Sequence, residues 1–194
     1  MTDEHLLIDR ARRGDMDAFR ELVERSKIMT YNVAYDLTGN RHDAEDLSQE
    51  AYIRAYRALP GFRGDSKWST WLYRILVNIS RDRWRRDSKR SIEYTDDLEG
   101  KSHTSDRTNL HAAPGPERHA EGAVLQQHID CALNALSSQE RAVFVLRHYH
   151  HLQLKEIART LEIAEGTVKS YLFRAIKTLQ KELAFYRPEL GIEE

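Results

Sequence analysis

The sequence predicts an all-α protein of two small helical domains joined by a flexible acidic linker. Apolar residues recur at three- and four-residue spacing through most of the 194 residues, whereas alternating, strand-like patterns are weak. Between residues 91 and 122 this spacing disappears, and the segment carries 7 acidic against 3 basic side chains. Such a segment cannot bury enough apolar surface to offset the entropy lost on ordering. We therefore predict domains at residues 1–90 and 123–194, with a linker at 91–122.

Three long amphipathic helices are predicted in the first domain from their cap and stop residues. In chain order these are Asp15 to Gly39, Asn40 or Asp43 to Pro60, and a helix that starts at Asp65 or Ser66. Buried apolar stripes are expected along all three helices. In the second helix the stripe comprises Ala44, Leu47, Ala51, Ala55 and Leu59.

Four helices are predicted in the second domain, at about residues 123–135, 138–150, 154–161 and 165–185. Ser137 and Glu140 have the spacing of a capping box at the start of the second of these. The last two helices, separated by a tight turn, have the pattern of a helix-turn-helix. The expected inward stripe of the last helix is Val168, Leu172, Ile176, Leu179 and Leu183.

Charge is distributed in opposed blocks, although the formal net charge is only −1 and the pI is about 6.8. Residues 1–50 carry 7 basic and 12 acidic side chains, whereas residues 51–90 carry 11 basic and 3 acidic ones. Such asymmetry indicates different partners for different segments. No apolar run approaches the length of a membrane span, and no signal-peptide core is visible. One cysteine, Cys131, excludes an internal disulfide and favours a cytoplasmic setting, and its apolar helix position predicts a core residue.

The acidic stretch DAEDLSQE begins at Asp43. On a helix, Asp43, Asp46 and Glu50 lie near one face, with Gln49 adjacent. Most acidic runs of this kind are solvated surface. The alternative is a docking face for a basic partner protein, where complementary charge gives specificity and fast association.

A second stretch, from Phe62 to Arg86, interleaves aromatic side chains with cations. This pattern suits single-stranded nucleic acid, whose bases stack on rings while cations hold the backbone. Trp71 has apolar helical neighbours and is expected in the core. Phe62 and Trp68 lie outside the apolar stripe and are better candidates for contact. The other candidates from this pattern are Lys67, Tyr73, Arg81 and Arg83.

The last helix presents a basic, polar stripe, and no acidic residue occurs from Gly166 to Lys181. The candidate contacts with duplex DNA are Thr167, Lys169, Ser170, Arg174 and Lys177. A helical hairpin with a solvated basic face would give the same pattern.

Three ordered segments resemble the short, extracytoplasmic-function (ECF) group of bacterial sigma factors. They are DAEDLSQEAYIRAYRAL, PGFRGDSKWSTWLYRILVNISRDRWRR and ALSSQERAVFVLRHYHHLQLKEIARTLEIAEGTVKSYLFRAIKTL, and they occur in the family's order in both predicted domains. The resemblance implies that the first domain is sigma region 2 and the second is region 4. Glu162 departs from the family, which often has glycine in this turn, where positive φ is favoured.

The resemblance assigns roles to several of these residues. Asp46, Gln49 and Glu50 match positions that dock on the largest polymerase subunit. Phe62 and Asn78 match the lining of a pocket for one flipped-out base of the minus-ten element, and Arg81 and Arg83 match positions near upstream phosphates. Lys169, Ser170 and Arg174 match positions that read the minus-thirty-five element.

The implied partners are bacterial core RNA polymerase, promoter DNA and an anti-sigma factor, which is often membrane-bound in this family. No small-molecule substrate, cofactor or metal is expected. His148 and His151 lack a visible third ligand, and no nucleophile–base pair suggests an enzyme. Two other readings remain open. A dimeric duplex-binding regulator would explain the helix-turn-helix but not the aromatic-basic stretch, and a nucleic-acid enzyme would need a nucleophile beside an arginine cluster.

Overall fold

A computed structural model of the chain describes residues 3–93 and 128–186, which belong to two compact units. The first unit is built on helices α1 (Asp3–Arg12), α2 (Met16–Thr38), α3 (Arg41–Ala58) and α4 (Trp68–Glu93). The second is built on α5 at residues 128–134, α6 (Ser138–His148), α7 (Leu154–Leu161) and α8 (Glu165–Glu182). The described ranges contain no strand, and the predicted all-α class is confirmed. Apart from the end of α4, the predicted linker lies outside the described residues.

The predicted ends of α2 and the start of α3 agree with the structure. Asp15 accepts hydrogen bonds at 3.0 Å from the backbone N–H groups of Asp17 and Ala18. The bond from Ala18 and the nearby Arg10 guanidinium lower the pKa of Asp15. Gly39 ends α2 with φ of 84°, a left-handed conformation that glycine adopts without steric penalty. The next residue, Asn40, caps α3 by accepting the backbone N–H of Asp43 at 2.8 Å.

The expected caps for α4 are wrong, because the helix begins at Trp68 and neither Asp65 nor Ser66 occupies the position before it. Glu4 of α1 lies at this end, where its carboxylate accepts the Trp68 backbone N–H at 3.4 Å. A carboxylate is favourable there because the helix N-terminus carries partial positive charge and unsatisfied N–H groups. The capping group thus comes from a helix that the sequence analysis did not predict.

The core of the first unit contains the predicted apolar stripes together with one face of α1. All five apolar residues predicted for the α3 stripe, from Ala44 to Leu59, are buried. From α1, Leu7, Ile8 and Ala11 pack in the same cluster as Leu22, Leu59 and Leu72.

Among the described helices, none is long and apolar enough to cross a membrane.

The second unit packs α5 against α8. Ala132, Leu133 and Leu136 form a core cluster with Ala175 and Leu179. The predicted stripe of α8 is wrong at Ile176, which is 37% exposed, because the neighbouring Ala175 faces the core instead. A small side chain at this contact allows the two helices to approach closely. Cys131 is also exposed, contrary to expectation.

The helix-turn-helix consists of α7, the turn at residues 162–164 and α8. Within the turn Glu162 has φ of 55°, the left-handed conformation expected for the position where the family often has glycine. The backbone N–H of Ile163 then bonds to the Ala158 carbonyl at 3.0 Å. In α6 the predicted capping box is confirmed, since the Ser137 and Glu140 side chains each accept the other residue's backbone N–H.

Candidate nucleic-acid interface

The acidic face of α3 is largely free of internal contacts. Asp43, Asp46 and Gln49 are exposed, and the Asp46 side chain retains 51% of its accessible surface. Its nearest basic neighbour, His42, is 3.8 Å away. Asp43 also takes part in the cap, because it accepts a hydrogen bond from the Asn40 side-chain amide. The structure therefore brings these three predicted docking residues onto one solvent-facing surface.

The fourth predicted docking residue, Glu50, is engaged within the unit. Its two carboxylate oxygens accept hydrogen bonds from Arg54 at 2.5 Å and from Arg83 at 2.9 Å. Partial burial raises the pKa of Glu50, but the bonds from Arg83 and Arg54 more than offset this, so the pKa is lowered. Arg54 also lies 3.8 Å from Asp82. Glu50 thus joins α3 to α4 and is less available than Asp46 to an outside partner.

The aromatic side chains after α3 form one packed cluster. The Phe62 and Trp71 rings have centroids 4.7 Å apart, and Trp68 lies 5.3 Å from Trp71 and 6.4 Å from Phe62. Phe62 is only 6% exposed and Trp68 only 3%. The expectation that these two lie outside the core is therefore wrong. Both side chains pack against residues of α1 and α2. The spacing of residues along α4 does not predict contacts with these other helices.

Trp71 is half-buried, and its ring is therefore more accessible than those of Phe62 and Trp68. Tyr73 is buried, and this burial raises the pKa of its phenol. Along α4, Trp84 is 38% exposed and offers a second accessible ring. The roles predicted for Phe62, Trp68 and Tyr73 in contacting DNA stay predictions. Because these three side chains are buried, they are better placed to support the shape of the site than to stack on a base.

Several cations of this region have no internal partner. Arg63 and Lys67 are exposed on the loop before α4, and neither side chain forms a hydrogen bond or ion pair with a described residue. Arg81 is half-buried, and its Nε atom is buried without a hydrogen-bond partner. Asn78, one turn earlier on α4, is also half-buried. Cations that give up no internal bond can engage phosphate at lower cost than paired ones.

A buried polar network holds the start of α4 against α2 and α3. The Ser26 hydroxyl donates to the Leu22 carbonyl at 2.6 Å and accepts the Trp68 indole N–H at 3.3 Å. The Tyr52 hydroxyl of α3 lies 3.0 Å from the Ser26 hydroxyl and donates to Thr30 at 2.8 Å. Buried polar groups are tolerated only when they are hydrogen-bonded. The signal in the sequence was the break in the apolar stripe of α2 at Ser26 and Thr30.

On α8, three of the predicted contact residues have their side chains ordered by neighbours. Arg174 forms an ion pair with Glu140 of α6 at 3.1 Å, and its guanidinium lies 4.9 Å from the centre of the Tyr171 ring. Lys169 lies 3.3 Å from Glu165, and the Ser170 hydroxyl bonds to the Gly166 carbonyl. The remaining two, Thr167 and Lys177, are half-buried and exposed respectively. Four of the five candidates are exposed, and they lie in the first four turns of the helix: Lys169, Ser170, Arg174 and Lys177.

The histidines at the end of α6 do not form a metal site with other side chains. Within residues 3–93 and 128–186, no three His, Cys, Asp or Glu side chains converge in a way that could hold a metal ion. His148 instead packs on the Phe144 ring, with centroids 4.6 Å apart. Burial lowers the pKa of His148, and the nearby Arg147 and His151 lower it further.

Two family models match the chain, one in each unit. Sigma-70 region 2 matches residues 22–90, and Sigma-70, region 4 matches residues 126–179. The first match contains α3 and the aromatic cluster, and the second contains the helix-turn-helix.

Curated relatives are similar over nearly the whole chain. The ECF RNA polymerase sigma factor SigW of Bacillus subtilis is 36% identical over 179 residues, covering 91% of this chain and 94% of the relative. The RNA polymerase sigma-H factor of Pseudomonas aeruginosa is 32% identical, covering 91% and 92%. The ECF RNA polymerase sigma-E factor of Escherichia coli K12 is 33% identical, covering 94% and 95%.

Two solved structures share the fold. The sigma factor RpoE of Bartonella quintana, solved with the anti-sigma factor NepR, aligns with a TM-score of 0.66 and 23% identity. That alignment covers 86% of this chain and 96% of RpoE. CnrH, solved with the cytosolic domain of CnrY, aligns with a TM-score of 0.65 and 22% identity, covering 93% and 97%.

Proposed function

The chain belongs to the extracytoplasmic-function RNA polymerase sigma factors, and from this premise we propose how its surfaces divide the work of transcription initiation. The first unit docks on core RNA polymerase through the exposed face of α3 and engages the minus-ten element through the loop before α4. The second unit engages the minus-thirty-five element through α8. The chain supplies no catalytic group, and RNA synthesis is the work of the polymerase in the cytoplasm.

The observation that carries this proposal is the separation of charge within the first unit. The α3 surface presents Asp43 and Asp46, whereas residues 51–90 carry 11 basic and 3 acidic side chains. Opposed charge in successive segments suits two simultaneous partners, one basic protein surface and one nucleic acid. The accessible rings of Trp71 and Trp84 belong to this basic segment, as expected for contact with unpaired bases.

The chain's near-neutral total charge fits a DNA-binding protein that acts within a larger assembly. A strongly basic chain would bind DNA indiscriminately through its phosphates. Two moderate DNA contacts tethered to one polymerase gain affinity through effective concentration instead. This account requires that the free protein bind random duplex weakly at physiological salt, and nanomolar binding would contradict it.

Regulation by an anti-sigma factor is part of the proposal. RpoE of Bartonella quintana was solved with the anti-sigma factor NepR, and this chain shares the RpoE fold. We propose a partner of the same class for this chain, one that covers its polymerase- or DNA-binding surfaces when the sigma factor is inactive. Attachment of this partner to a membrane is a further element of the proposal.

In vitro transcription tests the proposed function. Bacterial core polymerase is combined with the protein and with fragmented DNA from the source organism, and transcripts are mapped by their 5′ ends. Discrete transcripts that require the protein, with a shared pair of upstream sequence elements, are the expected result. Absence of transcripts together with absence of core binding would overturn the proposal and favour a dimeric duplex-binding regulator.

A further inference from the structure

The side chain of Glu140, near the start of α6, makes contacts in two directions. One carboxylate oxygen, Oε2, accepts the Ser137 backbone N–H at 3.1 Å and the Ser137 hydroxyl at 2.7 Å, as part of the capping box. The other oxygen, Oε1, lies 3.1 Å from the Nε atom of Arg174 on α8. The cap of α6 therefore orders the carboxylate that meets the arginine proposed to read the minus-thirty-five element.

The two partners of this ion pair differ in exposure. The Glu140 side chain is 15% exposed, whereas the Arg174 side chain is 56% exposed. The helices that carry them, α6 and α8, pack directly on each other. A surface ion pair usually contributes little, because two long side chains must be ordered to form it. Here the cap has already ordered the carboxylate, so the pair restricts the arginine alone.

A second contact restricts the guanidinium group of Arg174. Its central carbon lies 4.9 Å from the centre of the ring of Tyr171, a half-buried residue three positions earlier on α8. A cation over an aromatic face is attracted by the negative charge of that face. Glu140 approaches the Nε atom, and no side chain from another described residue pairs with the two terminal nitrogens. The terminal N–H groups are thus held in place and available to a ligand.

Terminal N–H groups presented in this way favour guanine. In the major groove guanine shows two acceptors, N7 and O6, and arginine binds both at once. A mobile arginine on an exposed helix face can instead bind phosphate, which carries no sequence information. Arg174 lies on the same face of α8 as Ser170 and Lys177, at spacings of four and three residues. Restricting its guanidinium therefore favours base reading over phosphate binding.

We propose that Glu140 is the positioning residue for Arg174, and that this pair makes the second unit specific for a guanine in the minus-thirty-five element. The inference rests on the proposed function, which assigns α8 to that element. It gives a second role to a residue of α6 whose spacing in the sequence indicated only a helix cap. Glu140 acts through Arg174 and does not itself contact a base.

Duplex binding by the holoenzyme tests the inference. Core polymerase is assembled with the full chain, and its affinity is measured for a promoter mapped as above. The same measurement is made on templates in which each G·C pair of the upstream element is replaced by A·T in turn. For the wild-type protein, one replacement should lower affinity by about tenfold, and Arg174→Ala should abolish this loss. An upstream element in which no guanine depends on Arg174 would overturn the inference.

Two variants separate the two roles of Glu140. Glu140→Gln keeps the capping box, since glutamine also serves at this position, but removes the negative charge that faces Arg174. It should reduce discrimination at the base pair read by Arg174 by about fivefold and leave the other base pairs unaffected. Ser137→Ala is the matched control, because it removes the hydroxyl of the cap and keeps the ion pair. Its discrimination should equal that of the wild-type protein.

A double variant shows whether Glu140 acts through the arginine. In the Arg174→Ala protein, adding Glu140→Gln should change discrimination at no base pair, because no guanidinium remains to be positioned. Wild-type discrimination in Glu140→Gln would overturn the inference, as would an equal loss in Ser137→Ala. A loss spread over several base pairs, or a further change in the double variant, would also overturn it.

The proposed function and the inference fail in different ways. Failure of the proposed function removes core binding and protein-dependent transcripts altogether. Failure of the inference leaves both intact, with a Glu140→Gln protein that discriminates between upstream sequences as the wild-type protein does.

Discussion

The Arg83 guanidinium of α4 donates a hydrogen bond to the Glu50 carboxylate of α3 across 2.9 Å. This contact joins the helix assigned to polymerase docking with the helix assigned to promoter DNA. The same carboxylate also accepts a bond from Arg54, and so both of its oxygens are engaged. We therefore expect Glu50 to orient Arg83 and to fix the packing of α3 on α4, and we assign the direct docking contact to Asp46 and its exposed neighbours.

Glu50→Gln should make the free energy of unfolding of the first unit depend less on pH in the acid range. The pKa of Glu50 is lowered in the folded chain from its ordinary value of 4.5. A carboxyl of this kind stabilises the fold above its unfolded pKa, and this contribution is lost as the pH falls through the folded pKa. The wild-type protein should thus lose more stability than the variant between about pH 5 and the acid limit of folding. Urea unfolding followed by tryptophan fluorescence measures this, since Trp68, Trp71 and Trp84 all lie in the first unit. Parallel acid curves for the two proteins would contradict the prediction.

Asp46→Arg should weaken binding to core polymerase by about tenfold or more without unfolding the protein. The Asp46 side chain is 51% exposed, and reversing a charge at a complementary interface adds repulsion as well as removing attraction. The matched control is Glu45→Arg, which reverses the neighbouring charge and removes only an exposed ion pair with Arg41. Fluorescence anisotropy of labelled protein titrated with core polymerase gives both affinities. Equal affinities for Asp46→Arg and the wild-type protein would contradict the assignment of α3 to the docking surface.

Ser26→Ala should lower the free energy of unfolding of the first unit by about 1–3 kcal/mol, because it leaves buried polar groups unsatisfied. The Trp68 indole N–H and the Tyr52 hydroxyl both contact the Ser26 hydroxyl. Ser48→Ala is the control, since Ser48 makes a similar bond to the carbonyl four residues earlier. Urea unfolding curves compare the two variants. A cost for Ser26→Ala no larger than that for Ser48→Ala would mean that the network contributes little.

Arg174→Ala should reduce transcription from promoters that depend on the upstream element, by about five- to a hundredfold, and leave core binding unchanged. Its ion pair with Glu140 and its position over the Tyr171 ring hold the guanidinium in one orientation, as base reading requires. Lys181→Ala is the control, because Lys181 is exposed in the last turn of the same helix. Transcription from one promoter with intact or scrambled minus-thirty-five sequence measures the effect. Equal loss on both templates would indicate a phosphate contact only.

Most helix positions and the caps of α2, α3 and α6 followed from the sequence, whereas α1 and the cap of α4 did not. Asp15, Gly39 and the Ser137–Glu140 capping box were predicted and are confirmed, and of the two predicted starts of α3 the structure has Asn40 as the cap. These features are predictable because each cap bonds to backbone groups only a few residues away. The burial of Ala44, Leu47, Ala51 and Ala55 followed as well, since a regular helix presents residues at three- and four-residue spacing on one face. The residues of α3 predicted to face a partner are indeed exposed at Asp43, Asp46 and Gln49.

The packing of the site did not follow from local patterns. Spacing along α4 suggested that Phe62 and Trp68 lie outside the core, yet both are buried against α1 and α2. Likewise, the charge of Glu50 indicated a docking residue, whereas Arg83, 33 positions away, donates a hydrogen bond to one of its carboxylate oxygens. In α8, Ala175 and not Ile176 meets α5, a choice that depends on the distance between two helices.

The sequence by itself therefore determined the helical class, the ends of α2, the starts of α3 and α6, the family and the separation of charge along the chain. These properties depend on neighbours within one or two turns, or on ordered motifs that can be compared directly. Only the tertiary structure decided which aromatic rings remain accessible, which charges are already paired, and that α1 packs in one core cluster with Phe62 and Trp68. Those properties arise from contacts between residues distant in sequence, and no periodicity within a single helix specifies them.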